Sequence, residues 1–148
     1  MERESMLVRE QEAWSALSRE VDRLTPERRR TEGVVPGWSA DDLVWHCAKW
    51  AEFAAERLAA LDDGPFVDPF DSEPDEHWDA ESARFAEQSK SMDTGEIDAA
   101  AASIRQHVRG VWASLPDLGP KADAWFAEET FVHYDEHAAE VRRFADEA

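Results

Sequence analysis

Two histidines stand four residues apart near the end of the sequence, within the stretch FVHYDEHAAEV. In an α-helix, residues at this spacing lie about 5 to 6 Å from each other on one face. His133 and His137 would therefore present two imidazoles side by side, an arrangement suited to a shared metal ion. The same spacing also occurs for two histidines at the edge of a core. The interpretation therefore depends on a third ligand elsewhere in the chain.

His46 lies in the apolar stripe of an earlier predicted helix and is the third candidate ligand. Three neutral imidazoles on rigid helices suit a borderline divalent ion, with Zn²⁺ first and Ni²⁺, Mn²⁺ or Fe²⁺ as alternatives, and they leave coordination positions open for water or substrate. Each histidine is alternatively a core-edge residue. We expect His77, in an acidic loop, and His107, at the flank of another helix, to lie outside the site. His107 is the replacement if one ligand is misassigned.

Several neighbours of these histidines are candidate site residues. Asp42 precedes His46 by one helical turn, so it either orients the imidazole or caps the helix N-terminus. Trp50 follows His46 by one turn and Thr130 lies on the inner face of the last helix, so both are candidate substrate-binding residues. Cys47 points about 100° away from its neighbour His46, which favours a small core residue over a ligand.

Hydrophobic periodicity predicts four long amphipathic helices that position these residues. Ser39 with Asp42 forms a capping-box variant before the second helix, and Thr94 is the predicted N-cap of the third. The proline-rich stretch 62–78 predicts a long crossover without regular structure, and 79–90 predicts a short additional helix. The long helices are expected over about 7–24, 40–61, 94–115 and from 122 onward.

The pattern predicts an all-α four-helix bundle forming a single domain over residues 1–148. A formal net charge of -18 argues against nucleic acids and anionic membranes as partners, because both need concentrated Lys and Arg. No apolar run approaches the roughly 18 residues needed to span a bilayer. The N-terminus lacks a signal-peptide pattern and Cys47 is the only cysteine, so the cytoplasm is the expected compartment.

Two segments resemble the motifs of the DinB/YfiT-like family of metalloenzymes. VPGWSADDLVWHCAKW resembles the opening of that family's second helix, and HYDEHAAEV resembles its closing His-x-x-x-His helix. The resemblance implies an up-down-down-up bundle with the long crossover between helices two and three. It also implies one divalent ion bound by His46, His133 and His137. Members of this family occur as homodimers, and the sequence leaves the oligomeric state open.

Several proteins of this family are thiol transferases, so the resemblance implies a low-molecular-weight thiol such as mycothiol and a small electrophile as substrates. Related mycothiol-dependent isomerases are similar in the first motif. Those isomerases carry a further C-terminal domain, and this chain ends at Ala148. We therefore expect a transferase activity ahead of an isomerase activity. Those isomerases also use a Glu-x-x-x-His pair, which Glu129 and His133 satisfy. Glu129 is therefore either an alternative ligand or an acid/base group.

Three hypotheses follow from these observations. The first is a metal-dependent transferase that joins the thiol to the electrophile. The second is a non-catalytic protein that binds or sequesters a small molecule, as resistance proteins do. The third is a structural bundle in which the histidines are packing residues.

Overall fold

The computed structural model describes residues 1–61 and 64–147. These residues are almost entirely helical and form no β-strand, which confirms the predicted all-α class. None of their helices combines the length and apolarity needed to cross a membrane. The helices are α1 (Arg3–Asp22), α2 (Pro26–Arg29), α3 (Ala40–Ala59), α4 (Asp75–Lys90), α5 (Thr94–Ser114), α6 (Pro120–Ala127) and α7 (His133–Asp146), with a π-helical segment (Glu128–Val132) joining the last two.

Contacts between helix ends establish the direction of the four long helices. Thr94, at the start of α5, donates a hydrogen bond to Asp41 at the start of α3, so these two helices run in the same direction. Arg23, just beyond the end of α1, pairs with Asp146 at the end of α7. The guanidinium of Arg3, at the start of α1, donates to the carbonyl of Leu115 just beyond the end of α5.

The four long helices therefore alternate as up-down-down-up, as predicted. The chain between α3 and α5 contains α4, which packs along α3. This long connection returns the chain to the end of the bundle where α3 begins, so α5 runs parallel to α3. Trp45 of α3 donates its indole N–H to the side chain of Gln88 at 3.1 Å.

Two boundaries differ from the prediction. The connection before α5 is more ordered than expected: a 3₁₀ turn covers Pro69–Asp71, and α4 begins at Asp75, before the predicted 79–90. Two acidic residues in the first turn of α4 favour its N-terminus, and a proline immediately before a helix is compatible with its start. The N-cap of α5 is Asp93, whose carboxylate accepts from the Glu96 N–H, so Thr94 as N-cap was wrong. Residues 62 and 63 of the predicted crossover, and 148 of the predicted domain, lie outside the described residues.

The start of α3 is held by a tight turn and a capping box. Gly37 adopts φ 82, which a residue with a Cβ rarely does, and the Trp38 N–H donates to the Val35 carbonyl at 3.0 Å. The Ser39 hydroxyl then accepts from the Asp42 N–H while the Asp42 carboxylate accepts from the Ser39 N–H. Trp38, directly before this capping box, packs its ring against that of His46 in the second turn of α3.

Candidate functional site

The structure brings together the three histidines that the sequence singled out. His46 of α3 and His133 of α7 have their Nε2 atoms 3.0 Å apart, and the Nε2 atoms of His133 and His137 are also 3.0 Å apart. Among the described residues these three form the group of side chains able to share an ion, with all ligand atoms within 4.8 Å of one another. His77 and His107 are exposed and lie outside this cluster, as expected.

The chemistry of this donor set fits a divalent ion. A tetrahedral ion about 2.0 to 2.1 Å from each nitrogen requires nitrogen separations of roughly 3.3 Å, close to the two observed. Burial, together with the neighbouring imidazoles, lowers the pKa of His46 to about 2 and that of His133 to about 3. Both rings are therefore neutral at physiological pH, the form that binds a metal. A single ion would accept the converging lone pairs of all three Nε2 atoms. Without an ion, one N–H on the Nε2 of His133 would have to be shared between the Nε2 atoms of His46 and His137.

The other ring nitrogens differ in how they are held. The Nδ1 of His137 lies within hydrogen-bond distance of Glu140, which favours the tautomer with its Nε2 lone pair directed at the cluster. The Nδ1 atoms of His46 and His133 are buried and have no hydrogen-bond partner among the described residues. The His46 ring is instead fixed by packing, with its centroid 4.8 Å from that of Trp38.

A local change of helix type precedes His133. The hydroxyl of Thr130, in the π-helical segment, donates to the carbonyl of Phe126 in the last turn of α6 at 2.7 Å. A side-chain hydroxyl that donates to a backbone carbonyl of a helix competes with the backbone N–H groups, which favours a local change from α-helical to π-helical hydrogen bonding. π-Helical turns are frequent at functional sites. Here the turn places Glu129 and His133 on the same cavity wall.

The histidine cluster opens onto a cavity of about 630 Å³, a volume suited to a small molecule. Trp50 of α3, Phe70 of the 3₁₀ turn and Trp78 of α4 form an aromatic wall. The Trp50 indole N–H donates to the Ser82 hydroxyl at 3.2 Å, which fixes its ring. The remaining lining residues are His46, Asp75, Glu128, Glu129, Val132, His133 and Glu136.

Glu129 is the most perturbed carboxyl group in this cavity. Burial raises its pKa to about 8, and the nearby carboxylates of Glu128, Asp68 and Glu136 raise it in the same direction. A carboxyl group with this pKa gains and loses a proton near neutral pH, as a general acid or base must. The position of Glu129 on the cavity wall is compatible with the acid/base role expected from the sequence.

Two expected site residues have other roles in the structure. The Asp42 carboxylate accepts hydrogen bonds from the Ser39 N–H, the Ser89 hydroxyl and the Lys90 ammonium, and it makes no bond to His46. Its pKa is lowered, because these bonds outweigh the opposing effect of burial. Asp42 therefore caps α3 and ties it to α4. Thr130 is fully buried and is not among the residues that line the cavity.

Three residues of the candidate site were not predicted individually from the sequence: Phe70, Trp78 and Glu140. Phe70 and Trp78 both lie in the proline-rich stretch 62–78, for which a crossover without regular structure was predicted. Their aromatic character was the available signal. Glu140 follows His137 by three residues, and this spacing on a helix indicates a partner for the imidazole. Cys47 is completely buried, and burial raises the pKa of its thiol, which agrees with a core role.

Comparison with known proteins gives one family match. Residues 11–147 match the family described as "Mycothiol maleylpyruvate isomerase N-terminal domain". No curated protein and no solved structure gives a significant match. The matched range contains the three histidines and every lining residue of the cavity.

Proposed function

Because the chain belongs to the mycothiol maleylpyruvate isomerase N-terminal domain family, within the DinB/YfiT-like superfamily, we propose that it is a metal-dependent thiol S-transferase. It joins a low-molecular-weight thiol, of the mycothiol class, to a small electrophile. The observation that carries this proposal is the convergence of the Nε2 atoms of His46, His133 and His137. The first two of these histidines line a cavity of about 630 Å³. A site with three protein ligands leaves coordination positions free for a thiol.

A divalent ion bound by the three imidazoles, with Zn²⁺ favoured by the all-nitrogen set, would stabilise the thiolate form of the thiol at neutral pH. Residues of the chain bind the ion, transfer the proton and exclude water. The buried imidazoles stay neutral, so they keep their lone pairs available. Glu129 accepts the thiol proton at a carboxylate oxygen when it is ionised and releases it to solvent afterwards. Trp50, Phe70 and Trp78 exclude water from one side of the reacting groups.

The overall reaction is a substitution at an electrophilic carbon. The thiol R–SH and the electrophile R′–X give the thioether R–S–R′, a proton and the leaving group X⁻. The new carbon–sulfur bond forms as the carbon–X bond breaks, so no oxidant or reductant is needed. Holding both reactants in one cavity contributes mainly through their relative orientation.

The test is a thiol-transfer assay with monobromobimane, whose thioether product is fluorescent, and a panel of mycothiol, cysteine and glutathione. We expect turnover above the uncatalysed rate with at least one thiol. Turnover should fall by about a hundredfold or more in His133→Ala, since losing a ligand removes the activation of the thiol. His107→Ala is the matched control, because His107 is exposed and far from the cluster, and it should keep full activity.

Metal binding without turnover for any thiol in the panel would refute the transferase proposal. Saturable binding of the probe without product would then favour the second hypothesis, a protein that sequesters a small molecule. Equal activity in wild type and His133→Ala would also contradict the proposed role of the histidines.

The family description names an isomerase of maleylpyruvate, a dicarboxylate. In this chain the cavity lining includes Asp75, Glu128, Glu129 and Glu136 and no Lys or Arg among the described residues. Apart from a bound divalent ion, a dianion would meet like charges and no cationic side chain, which is unfavourable. We therefore propose the transferase ahead of the isomerase for this chain.

A further inference from the structure

The cavity that opens on the histidines has an acidic rim without counter-charges. The rim carboxylates are Asp75 of α4, Glu128 of the π-helical segment and Glu136 of α7, and Glu129 lies deeper between them. Within the described part of the chain, none of the four forms a salt bridge or a side-chain hydrogen bond with Lys or Arg. The three exposed carboxylates of Asp75, Glu128 and Glu136 therefore present their charge to a ligand that enters the cavity.

The rim carboxylates are exposed, and they differ from the acidic groups buried in the bundle, which are paired. Glu10 of α1 is fully buried and paired with Arg105 and Arg109 of α5. Asp41 of α3 is likewise paired with Arg29 at 2.8 Å. Both of these buried carboxylates are therefore neutralised by arginine side chains. The cavity carboxylates have no such structural partner, so their charge is available to a ligand.

The wall beside these carboxylates is aromatic. The ring centroids of Trp50 and Trp78 are 6.2 Å apart, and those of Phe70 and Trp78 are 4.9 Å apart. The rings meet edge to face, so they form one continuous wall, and the faces of tryptophan rings attract organic cations. The Trp78 Nε1 is buried and has no hydrogen-bond partner among the described groups.

An aromatic wall next to unpaired carboxylates is the chemistry that recognises an alkylammonium or quaternary ammonium group. We propose that the electrophile used by this protein carries such a positive charge, held between Trp78 and the carboxylates of Asp75, Glu128 and Glu136. Its electrophilic carbon then faces His46 and His133, which line the same cavity. This inference rests on the proposed transferase function and names the substrate class of that same site.

Two further considerations support this assignment. A divalent ion at the histidines would offset only part of the charge of the three rim carboxylates of Asp75, Glu128 and Glu136, so the rim stays negative in the loaded protein. The whole chain, at a formal net charge of -18, also attracts cations and repels anions during diffusional encounter. Anionic electrophiles should therefore be poor substrates.

The experiment compares two probes that react by the same substitution of bromide. Monobromobimane is neutral, and monobromotrimethylammoniobimane carries a quaternary ammonium group on the same ring system. The kcat/KM of each is measured with the metal-loaded protein and mycothiol, and is divided by the uncatalysed rate constant of that probe. We expect a preference of about tenfold for the cationic probe at low ionic strength, decreasing as salt is added.

Variants locate the origin of this preference. Glu128→Gln and Glu136→Gln should each reduce the preference by about two- to threefold, mainly through the cationic probe. Trp78→Leu should reduce it further by removing an aromatic face. Glu12→Gln is the matched control, because Glu12 is exposed on α1 and does not line the cavity, and the preference should be unchanged.

The outcomes separate this inference from the proposed function. Turnover of both probes with no preference, or with a preference for the neutral one, would overturn the cationic-substrate assignment and leave the transferase intact. If neither probe is turned over, the transferase fails, and binding decides the charge question. Choline should then shift the Trp78 indole N–H resonance in nitrogen-15 NMR at about tenfold lower concentration than its neutral isostere 3,3-dimethylbutan-1-ol. Equal titration by both, or no shift with either, would overturn the assignment.

Discussion

Replacing Glu129 by glutamine should change how the stability of the metal-free protein depends on pH. Burial, with the neighbouring carboxylates, raises the pKa of Glu129 from 4.5 to about 8 in the folded protein. In the unfolded chain the same group loses its proton near its ordinary value. Between these two pH values the folded state therefore holds more protons than the unfolded state. Because of this difference, rising pH lowers the free energy of unfolding.

The magnitude follows from the two pKa values. The difference between 4.5 and about 8 corresponds to at most about 5 kcal/mol by proton linkage. The cavity is open to solvent, which screens part of this effect, so we expect roughly 2 to 3 kcal/mol. Glutamine has nearly the same shape and cannot ionise. The variant should therefore gain about this much stability relative to wild type as the pH rises from about 5 to about 8.

The assay is urea unfolding of chelator-treated wild type and Glu129→Gln, followed by circular dichroism at several pH values between about 5 and 9. Titration of the histidines is common to both proteins and cancels in the difference. Glu12→Gln, on an exposed face of α1, should show no pH-dependent difference from wild type. A stability difference for Glu129→Gln that is constant with pH, or that grows toward acid, would refute the reasoning.

Three further variants test other parts of the structure. Glu10→Gln leaves the guanidinium groups of Arg105 and Arg109 without their buried carboxylate, so the free energy of unfolding should fall by about 3 to 5 kcal/mol in urea titrations. Asp42→Ala removes the capping box and an ion pair, so it should cost about 2 kcal/mol in the same titrations while metal content stays at the wild-type level. Thr130→Val removes the hydroxyl bond from the π-helical segment to the Phe126 carbonyl of α6, so competition with a chromophoric chelator should show metal affinity lowered by about tenfold. Unchanged stability in the first, metal loss in the second, or unchanged affinity in the third would each contradict the role given to that residue.

The helices and the histidine cluster were predictable because both depend on spacing. Apolar residues three and four apart set the inner face of each helix, and His46, His133 and His137 lie on those faces. A bundle then brings inward residues of neighbouring helices together. The start of α4 was predicted too late because proline and acidic residues are typical of loops and also of the first helical turn.

The local contacts of the site residues were not predictable from spacing alone. Asp42 is one turn from His46 along α3, but its carboxylate accepts hydrogen bonds from Ser89 and Lys90, which are distant from it in the sequence. Thr130 shares the inner face, but its hydroxyl bonds within its own helix. The aromatic and acidic cavity depends on how the crossover folds over α3, a tertiary arrangement that helical periodicity does not encode.

The most direct test of the central claim is elemental analysis of protein purified without a histidine tag. Wild type should contain about one divalent ion per chain, and His46→Ala and His137→Ala should both lose it because each removes one of three ligands. His107→Ala, which alters an exposed histidine, should keep it. A wild-type protein that is metal-free and does not take up added Zn²⁺, Ni²⁺, Mn²⁺ or Fe²⁺ would contradict the account, as would full metal content in either ligand variant.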